Sequence, residues 1–362
     1  MSRTVQVKRD AITETRVIDV PQLPLGDGEV RLGIESFSVT ANNVTYAVAG
    51  DAFGYWNFFP GEGAWGVVPM WGHAVVIESQ HPDIAAGERV YGYLPMAETL
   101  DVLPDGVSPG GFIDAAAHRQ PMSVIYNQYS RLAADPEHDP AREGERMIFG
   151  PLFKTGFLIE SFMRAETWFG AEALICTSAS SKTAMALASV ARDKSPHVQR
   201  IGLTSAGNVD FVRAGGFYDL VLSYDQVADL SQLPSVLVDF AGNAGLIHAV
   251  HTALGENLKY SCTVGATHVG AGFGQANGPL PGPLPGPVPV LFFAPHHAVA
   301  AIQELGPKAF GAAVAASWIR FISEAGGAVT VDQRSGLEAA AEAFVATAEG
   351  KADPAIGIVI RP

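Results

Sequence analysis

The chain has 362 residues, 48% of them hydrophobic and 17% charged, with 37 acidic against 23 basic side chains and a formal charge of −14. The hydrophobic share supports a sizeable core, and at about 150 residues per domain the length suggests two domains. The acidic balance argues against a nucleic-acid or anionic-membrane partner, and no apolar stretch approaches the length of a bilayer span.

Roughly the first 110 residues read as short strands and turns, the grammar of a compact β domain. The β-rich runs are Val5 to Val7, Val30 to Ile34, Ala74 to Ile77 and Val90 to Tyr93. From Met147 onward the pattern changes. An apolar run at Ala173 to Cys176 precedes TAMALASVARD at helical spacing, then VQRIGLTS, NVDFVRAGG and LVLSY. This is strand, helix, strand, helix, strand, the order of a parallel sheet with crossover helices. Ser235 to Phe240 and Tyr260 to Gly265 continue the sheet on either side of the helical GNAGLIHAVHTAL, and Val290 to Phe293 adds a strand. The proline-glycine cluster at residues 277–289 is expected to be a stiff surface loop. GLEAAAEAFVATAEG reads as an Ala-rich helix and IGIVIRP as a closing strand. The expected class is α/β.

Cys176 and Cys262 sit in apolar strand-like runs and read as buried thiols; two cysteines cannot form a four-thiolate zinc site. The opening MSRTVQVKRD has no apolar signal region, so the cytoplasm is the expected location.

The loop after the first α/β strand is T-S-A-S-S-K-T-A, residues 177–184, where a nucleotide-binding fold places a pyrophosphate over a helix N-terminus. Thr177, Ser180 and Thr183 stand where the diagnostic glycines would be. Ser180, Ser181 and Thr183 are small and can cap or donate, and Lys182 offers a charge to a phosphate. The alternative is a Ser-rich helix cap with a surface lysine. The second strand ends in G-L-T-S-A-G-N with no acid to hold a ribose diol. Thr204, Ser205 and Asn208 offer neutral hydrogen bonds that tolerate a 2′-phosphate, so NADP(H) is favoured over NAD(H). Tyr224, ending LVLSY, either lies along the adenosine edge or is strand-end packing.

These features, with GEVRLGIESFSVTANNVTYAVAG, GERVYGYLP, VDFAGNAGL, CTVGATH and the C-terminal EAFVATAEGKADPAIGIVIRP, resemble the zinc-free branch of the medium-chain dehydrogenase/reductase superfamily, which includes quinone and enoyl reductases. More narrowly, FGYWNFFP, VPMWGHAVVIES, YNQYSR, PLFKTGF, SASSKTA and IGLTS are similar to the DUF2855 family. The superfamily resemblance implies a GroES-like β domain from residues 1–140 with 322–362. It implies a Rossmann domain over 141–321, with nicotinamide in the cleft. Matched by position, it places the nucleotide loop at 177–183 and the adenosine-phosphate end at Thr204, Ser205 and Tyr224. Ala241, Gly242 and Asn243 form the loop after the fourth strand. Gly265, Ala266 and Thr267 would turn beside nicotinamide, and Phe292 and Phe293 would flank its carboxamide.

The resemblance also makes Tyr46 the first candidate proton donor; Tyr126, in IYNQYS at the expected domain junction, is the second, and either faces the cleft or holds the domains together. Hydride addition to an activated alkene, quinone or carbonyl leaves an oxyanion that a phenol can stabilise. Packing under the GYWNFFP loop is the alternative for Tyr46. Lys154 and Thr155 are expected just before an apolar helix, near nicotinamide. Gly72 and His73 are followed by Ala74 where zinc enzymes carry glutamate, so His73 reads as an aromatic filler beside Trp71. His248 and His251 read as helix surface. The aromatics Phe53, Tyr55, Trp56, Phe58, Phe59, Trp65 and Trp71 form either a pocket wall for a small apolar substrate or a satellite core. The expected protein is an NADPH-dependent reductase with homodimer as its closed assembly. The alternative is a non-catalytic nucleotide-binding or scaffold protein with a degenerate loop.

Overall fold

The computed structural model describes residues 1–120, 122–264 and 282–362. The chain divides into two units, Met1–Ile148 with Thr330–Pro362, and Phe149–Val329.

The first unit is built on antiparallel strands. Ser2–Lys8 pairs with Ala11–Val20, and a nine-stranded sheet runs through Val30–Val39, Pro69–Ser79 and Arg89–Pro95. The C-terminal strand Ile356–Arg361 joins this sheet by pairing antiparallel with Val30–Val39, Ile358 opposite Val39 and Ile360 opposite Phe37. Both ends of the chain therefore contribute to one core. The helix Leu337–Ala348 drives the join: Leu337, Ala340, Ala343 and Phe344 recur at helical spacing, are fully buried, and pack with Val5, Val7, Leu32 and Val76. Burying a Leu- or Phe-sized side chain stabilises by roughly 1.5–3 kcal/mol.

The second unit holds a six-stranded parallel sheet. In chain order its strands are Ala173–Cys176, Gln199–Thr204, Leu220–Ser223, Ser235–Asp239, Leu258–Thr263 and Val290–Leu291. Their spatial order is third, second, first, fourth, fifth, sixth, the doubly wound order whose switch point lies between first and fourth strands. Ala173, Leu174, Ile175 and Cys176 are all fully buried, as expected of a strand covered on both faces.

One long helix, Glu143–Ala165, carries the chain from the first unit into the second. It contains Pro151, which has no N–H for the carbonyl of Met147; Ser38 Oγ donates to that carbonyl instead, at 2.7 Å. Lys154 and Thr155 lie in the middle of this helix and not before it. The helix begins earlier because Glu143 and Glu145 occupy its first turn, where carboxylates suit the helix dipole. His251 is also displaced from its expected surface place. It is fully buried, its ring bonded to Ser261 Oγ at 3.0 Å and to the Pro285 carbonyl at 2.9 Å, because the apolar face of Ala244–Leu254 turns it toward the fifth parallel strand.

Candidate functional site

At the C-terminal ends of the first three parallel strands, hydroxyl and amide groups take the places that glycines would fill. Residues 177–181 lead from the first strand into the helix Lys182–Lys194. Ser181 caps this helix, its Oγ accepting from Ala184 N at 3.3 Å. Lys182 is the first helical residue and partly exposed; Thr183 is buried in the first turn. Ser178 has φ +47°, a left-handed conformation unusual for a residue with a side chain, and it hydrogen-bonds Tyr224 from the end of the third strand. Ser180 Oγ accepts from Asn208 Nδ2 at 3.2 Å, and the Ala179 carbonyl accepts from the Tyr218 hydroxyl at 3.2 Å. A glycine is needed beneath the loop and not within it: a Cβ on Gly202 would lie 2.9 Å from the Cβ of Ala179. The structure thus brings Ser180, Asn208 and Tyr224 to one place.

The second strand ends at Thr204, which is buried with a hydroxyl that has no hydrogen-bond partner among the described residues, while Ser205 beside it is exposed. An orphaned buried hydroxyl next to an exposed one, with no acid from Thr204 to Asn208, fits a ribose carrying a 2′-phosphate. Arg200 is engaged with Asp219, and Arg213 donates to the Val221 carbonyl at 3.3 Å.

The fourth strand ends at Asp239, a residue that sequence reasoning passed over. Its carboxylate, 1% exposed, accepts from Thr177 Oγ1 at 2.6 Å and from the backbone N–H of Gly242 at 2.9 Å. Burial raises its pKa, opposed by these hydrogen bonds. Gly242 has φ +66°, which explains glycine there, and Ala241 is buried beside it. Asn243 caps the helix Ala244–Leu254 through Leu246 N at 3.0 Å. The only sequence signal for Asp239 is a lone acid ending the apolar run SVLVD. Phe292 stacks on His297 with ring centres 4.0 Å apart, and Phe293 meets His296 edge-on at 4.8 Å. Gly265, Ala266 and Thr267 lie outside the described residues, as does part of the 277–289 cluster.

In the first unit, Tyr46 and Tyr126 meet in a layer of phenols. Cross-strand pairs put Trp71 opposite Tyr93 and His73 opposite Tyr91. Alternation along the strand then gives these four rings one face of the sheet. Tyr46, on the short helix Ala41–Val48, packs on this face with ring centres 5.3 Å from Tyr93, 4.7 Å from Tyr55 and 6.1 Å from Tyr126. Its hydroxyl oxygen accepts from Asn42 Nδ2 at 2.6 Å and from Trp71 Nε1 at 3.1 Å. Those two donors fill the lone pairs of a phenol, so its own proton is left to donate, and its other hydrogen-bonding neighbours are Tyr93 and Tyr126 of the same layer. Burial, with Tyr55 adding, raises the Tyr46 pKa well above its ordinary value, and the two N–H donors oppose this. Tyr126, partly exposed, shares a 3.2 Å hydrogen bond with Tyr55. The aromatic cluster splits: Tyr55, Phe58 and Trp71 join this layer, whereas Trp56 enters the hydrophobic core of the first unit and Trp65 lies under Arg16.

A buried guanidinium assembles the segments that carry the layer. Arg119 is 0% exposed. It donates to Asp114 at 2.8 Å, Asn127 at 3.0 Å, the Tyr129 hydroxyl at 2.9 Å and the Tyr126 carbonyl at 2.8 Å. Its charge lies over the rings of Phe58 and Phe59.

His73 is also 0% exposed, with both ring nitrogens unpartnered among the described residues. Burial lowers its pKa to about 3, with Glu143 opposing and Arg146, Arg89 and His138 reinforcing. The unfolded chain takes up this proton near pH 6.5 and the folded chain does not, so the associated stability is complete above that pH and falls as pH drops toward the folded value. Between about pH 6.5 and about pH 4.5 the parent should lose roughly 2 kcal/mol more than His73→Leu, measured as urea unfolding free energies at both pH values. Parallel pH slopes for the two proteins would rule out a neutral buried His73. Among the described residues, no group of three or more His, Cys, Asp or Glu side chains is placed to hold a metal ion.

A family model described as "Protein of unknown function (DUF2855)" matches residues 37–353. No curated protein matches the chain. Among solved structures, CurA from Vibrio vulnificus in complex with NADPH aligns at 13% identity and TM-score 0.60, covering 99% of this chain and 98% of its own. A mutant form of enoyl thioester reductase from Candida tropicalis aligns at 12% and 0.58, covering 100% and 99%. The yhdH oxidoreductase from Salmonella enterica in complex with NADP aligns at 14% and 0.53, covering 99% of each chain. The fold is α/β, a GroES-like β domain plus a Rossmann domain.

Proposed function

The chain belongs to the DUF2855 family, on the fold of the medium-chain dehydrogenase/reductases, and from this premise we propose that it is an NADP(H)-dependent oxidoreductase. It passes hydride to an activated alkene, quinone or carbonyl of a small apolar substrate, without zinc. The observation that carries the reading is the convergence of Ser178, Ser180, Asn208 and Tyr224 at the ends of three parallel strands, beside the acid-free turn at Thr204 and Ser205. The NADPH and NADP found with the Vibrio and Salmonella proteins support the choice of cofactor. Zinc is left out because Ala74 follows Gly72 and His73, and both cysteines are buried in the parallel sheet.

Bound nicotinamide would supply the hydride. The chain's own residues bind and protonate. The nucleotide loop and the cap of Lys182–Lys194 receive the pyrophosphate, and Thr204 and Ser205 receive the 2′-phosphate. In the phenol layer Tyr46, held by Asn42 and Trp71, donates its proton to the oxygen on which negative charge develops. Tyr126 stands second. The proposal extends to a cytoplasmic homodimer; no helix among the described residues is long and apolar enough to cross a membrane.

The test is consumption of reduced nicotinamide, followed by its absorbance, with an electron-poor enone and a p-quinone as probes. Turnover with NADPH supports the reading. Binding without turnover on either probe favours the non-catalytic alternative that the glycine-free loop suggests. Ser205→Asp should weaken NADPH roughly tenfold or more by like-charge repulsion with the 2′-phosphate, and NADH much less. Unchanged NADPH affinity in a titration of that variant would move the 2′-phosphate elsewhere.

A further inference from the structure

We propose that Thr177 and Asp239 are positioning residues of the dinucleotide site, a buried side-chain clamp that fixes the glycine-free loop against the loop after the fourth strand. The inference rests on the reading of this unit as an NADP(H) site and goes beyond it, by naming what holds the loop in shape.

Thr177 is 0% exposed and its hydroxyl is fully used. It donates to Asp239 Oδ1 at 2.6 Å and accepts from Phe240 N at 2.9 Å and Ala241 N at 3.2 Å. One donor and two lone pairs are the whole capacity of a hydroxyl. Asp239 Oδ1 also accepts from Ala241 N at 3.3 Å, while Oδ2 takes Gly242 N at 2.9 Å. The backbone follows the same seam, Thr177 N donating to the Val238 carbonyl at 3.2 Å. The first residue of one loop is therefore bonded to four consecutive positions of the other strand end, Val238 to Ala241, at the switch point of the sheet.

The next residue, Ser178, then adopts the left-handed conformation that glycine normally supplies. A side chain there is held only if the surroundings determine the backbone. The clamp does so from below, while the Tyr224 and Asn208 contacts do so from the side. In a loop with glycines the turn comes from backbone freedom; in this chain it comes from a hydroxyl and a carboxylate out of reach of solvent.

The test uses the full chain and two probes. NADPH spans the loop through its pyrophosphate; adenosine 2′-monophosphate carries the 2′-phosphate but no pyrophosphate. Thr177→Val keeps the shape and removes the hydroxyl, and should raise the Kd for NADPH roughly tenfold or more, with adenosine 2′-monophosphate changed less than about threefold. Thr177→Ser should restore NADPH binding to within about threefold of the parent. Equal NADPH affinity in the parent and Thr177→Val overturns the clamp, as does an equal loss for both probes. If Thr177→Val does not fold, Asp239→Asn decides by the same split between probes. A parent that binds neither probe overturns the dinucleotide reading itself, and the clamp's role with it.

Discussion

Tyr46→Phe should leave NADPH affinity unchanged and slow reduction of an enone or quinone probe by about 10²–10⁴-fold, the range that positioned general acids contribute. The acceptor capacity of this phenol is filled within the layer, which leaves its proton as the group it can give. Asn42 and Trp71 donate to its oxygen at 2.6 and 3.1 Å, and its proton is left to serve an acceptor. Phenylalanine keeps the ring packing against Tyr55 and Tyr93 and deletes the proton. It also leaves an amide and an indole N–H without their acceptor, a cost of about 1–3 kcal/mol, so rates are compared where both proteins are fully folded. Tyr126→Phe should slow the same reaction by less than about tenfold, since Tyr126 shares its hydroxyl with Tyr55 and general-acid contributions depend on a committed donor. A Tyr46→Phe rate within about threefold of the parent would remove Tyr46 from the mechanism.

Arg119→Met should cost about 3–5 kcal/mol of folding stability, the loss that follows when one partner of a buried ion pair is removed. Asp114, 1% exposed, would be left as a buried charge. Asn127, the Tyr129 hydroxyl and the Tyr126 carbonyl would lose a donor as well. Burial alone would lower the Arg119 pKa, yet Tyr129 and Asp114 raise it above its ordinary value, so the group is charged throughout the working range. Adding Asp114→Asn to Arg119→Met should recover part of the loss, because the amide oxygen can still accept from Leu103 N and Ala116 N, both now on Oδ1 at 3.0 Å. Urea unfolding of the single and double variants checks this. A loss below about 1 kcal/mol for Arg119→Met would show that the pair sits on the surface in solution.

The parallel sheet was legible in the sequence because strands covered on both faces read as short, largely apolar runs separated by helical segments: ALIC, QRIGLT and SVLVD are the strands. The closing strand IGIVIR was legible as another apolar run, and the Ala-rich helix before it through apolar residues at helical spacing. The helix Ala41–Val48 was not, although it carries Tyr46. Its sequence ANNVTYAV is rich in Asn and β-branched residues, weak helix formers set among strands. Its one local signal is the reciprocal cap between Thr40 and Asn43.

The phenol layer was half legible. The density of aromatics was plain, but which of them share a face depends on pairing register, Trp71 with Tyr93 and His73 with Tyr91, and register is a tertiary property. Arg119 and Asp239 escaped for a related reason. Each is a single charged residue in an unremarkable stretch: Thr177 lies 62 positions from Asp239, and although the partners of Arg119 lie within ten residues of it, only the folded chain shows that they are buried together.

Titration of NADPH into the full chain, followed by nicotinamide fluorescence and by thermal unfolding, tests the central claim most directly. Saturable binding with a Kd below about 0.1 mM is expected, with a rise in unfolding temperature that grows with ligand concentration. No saturable signal and no thermal shift at about 1 mM NADPH would contradict it.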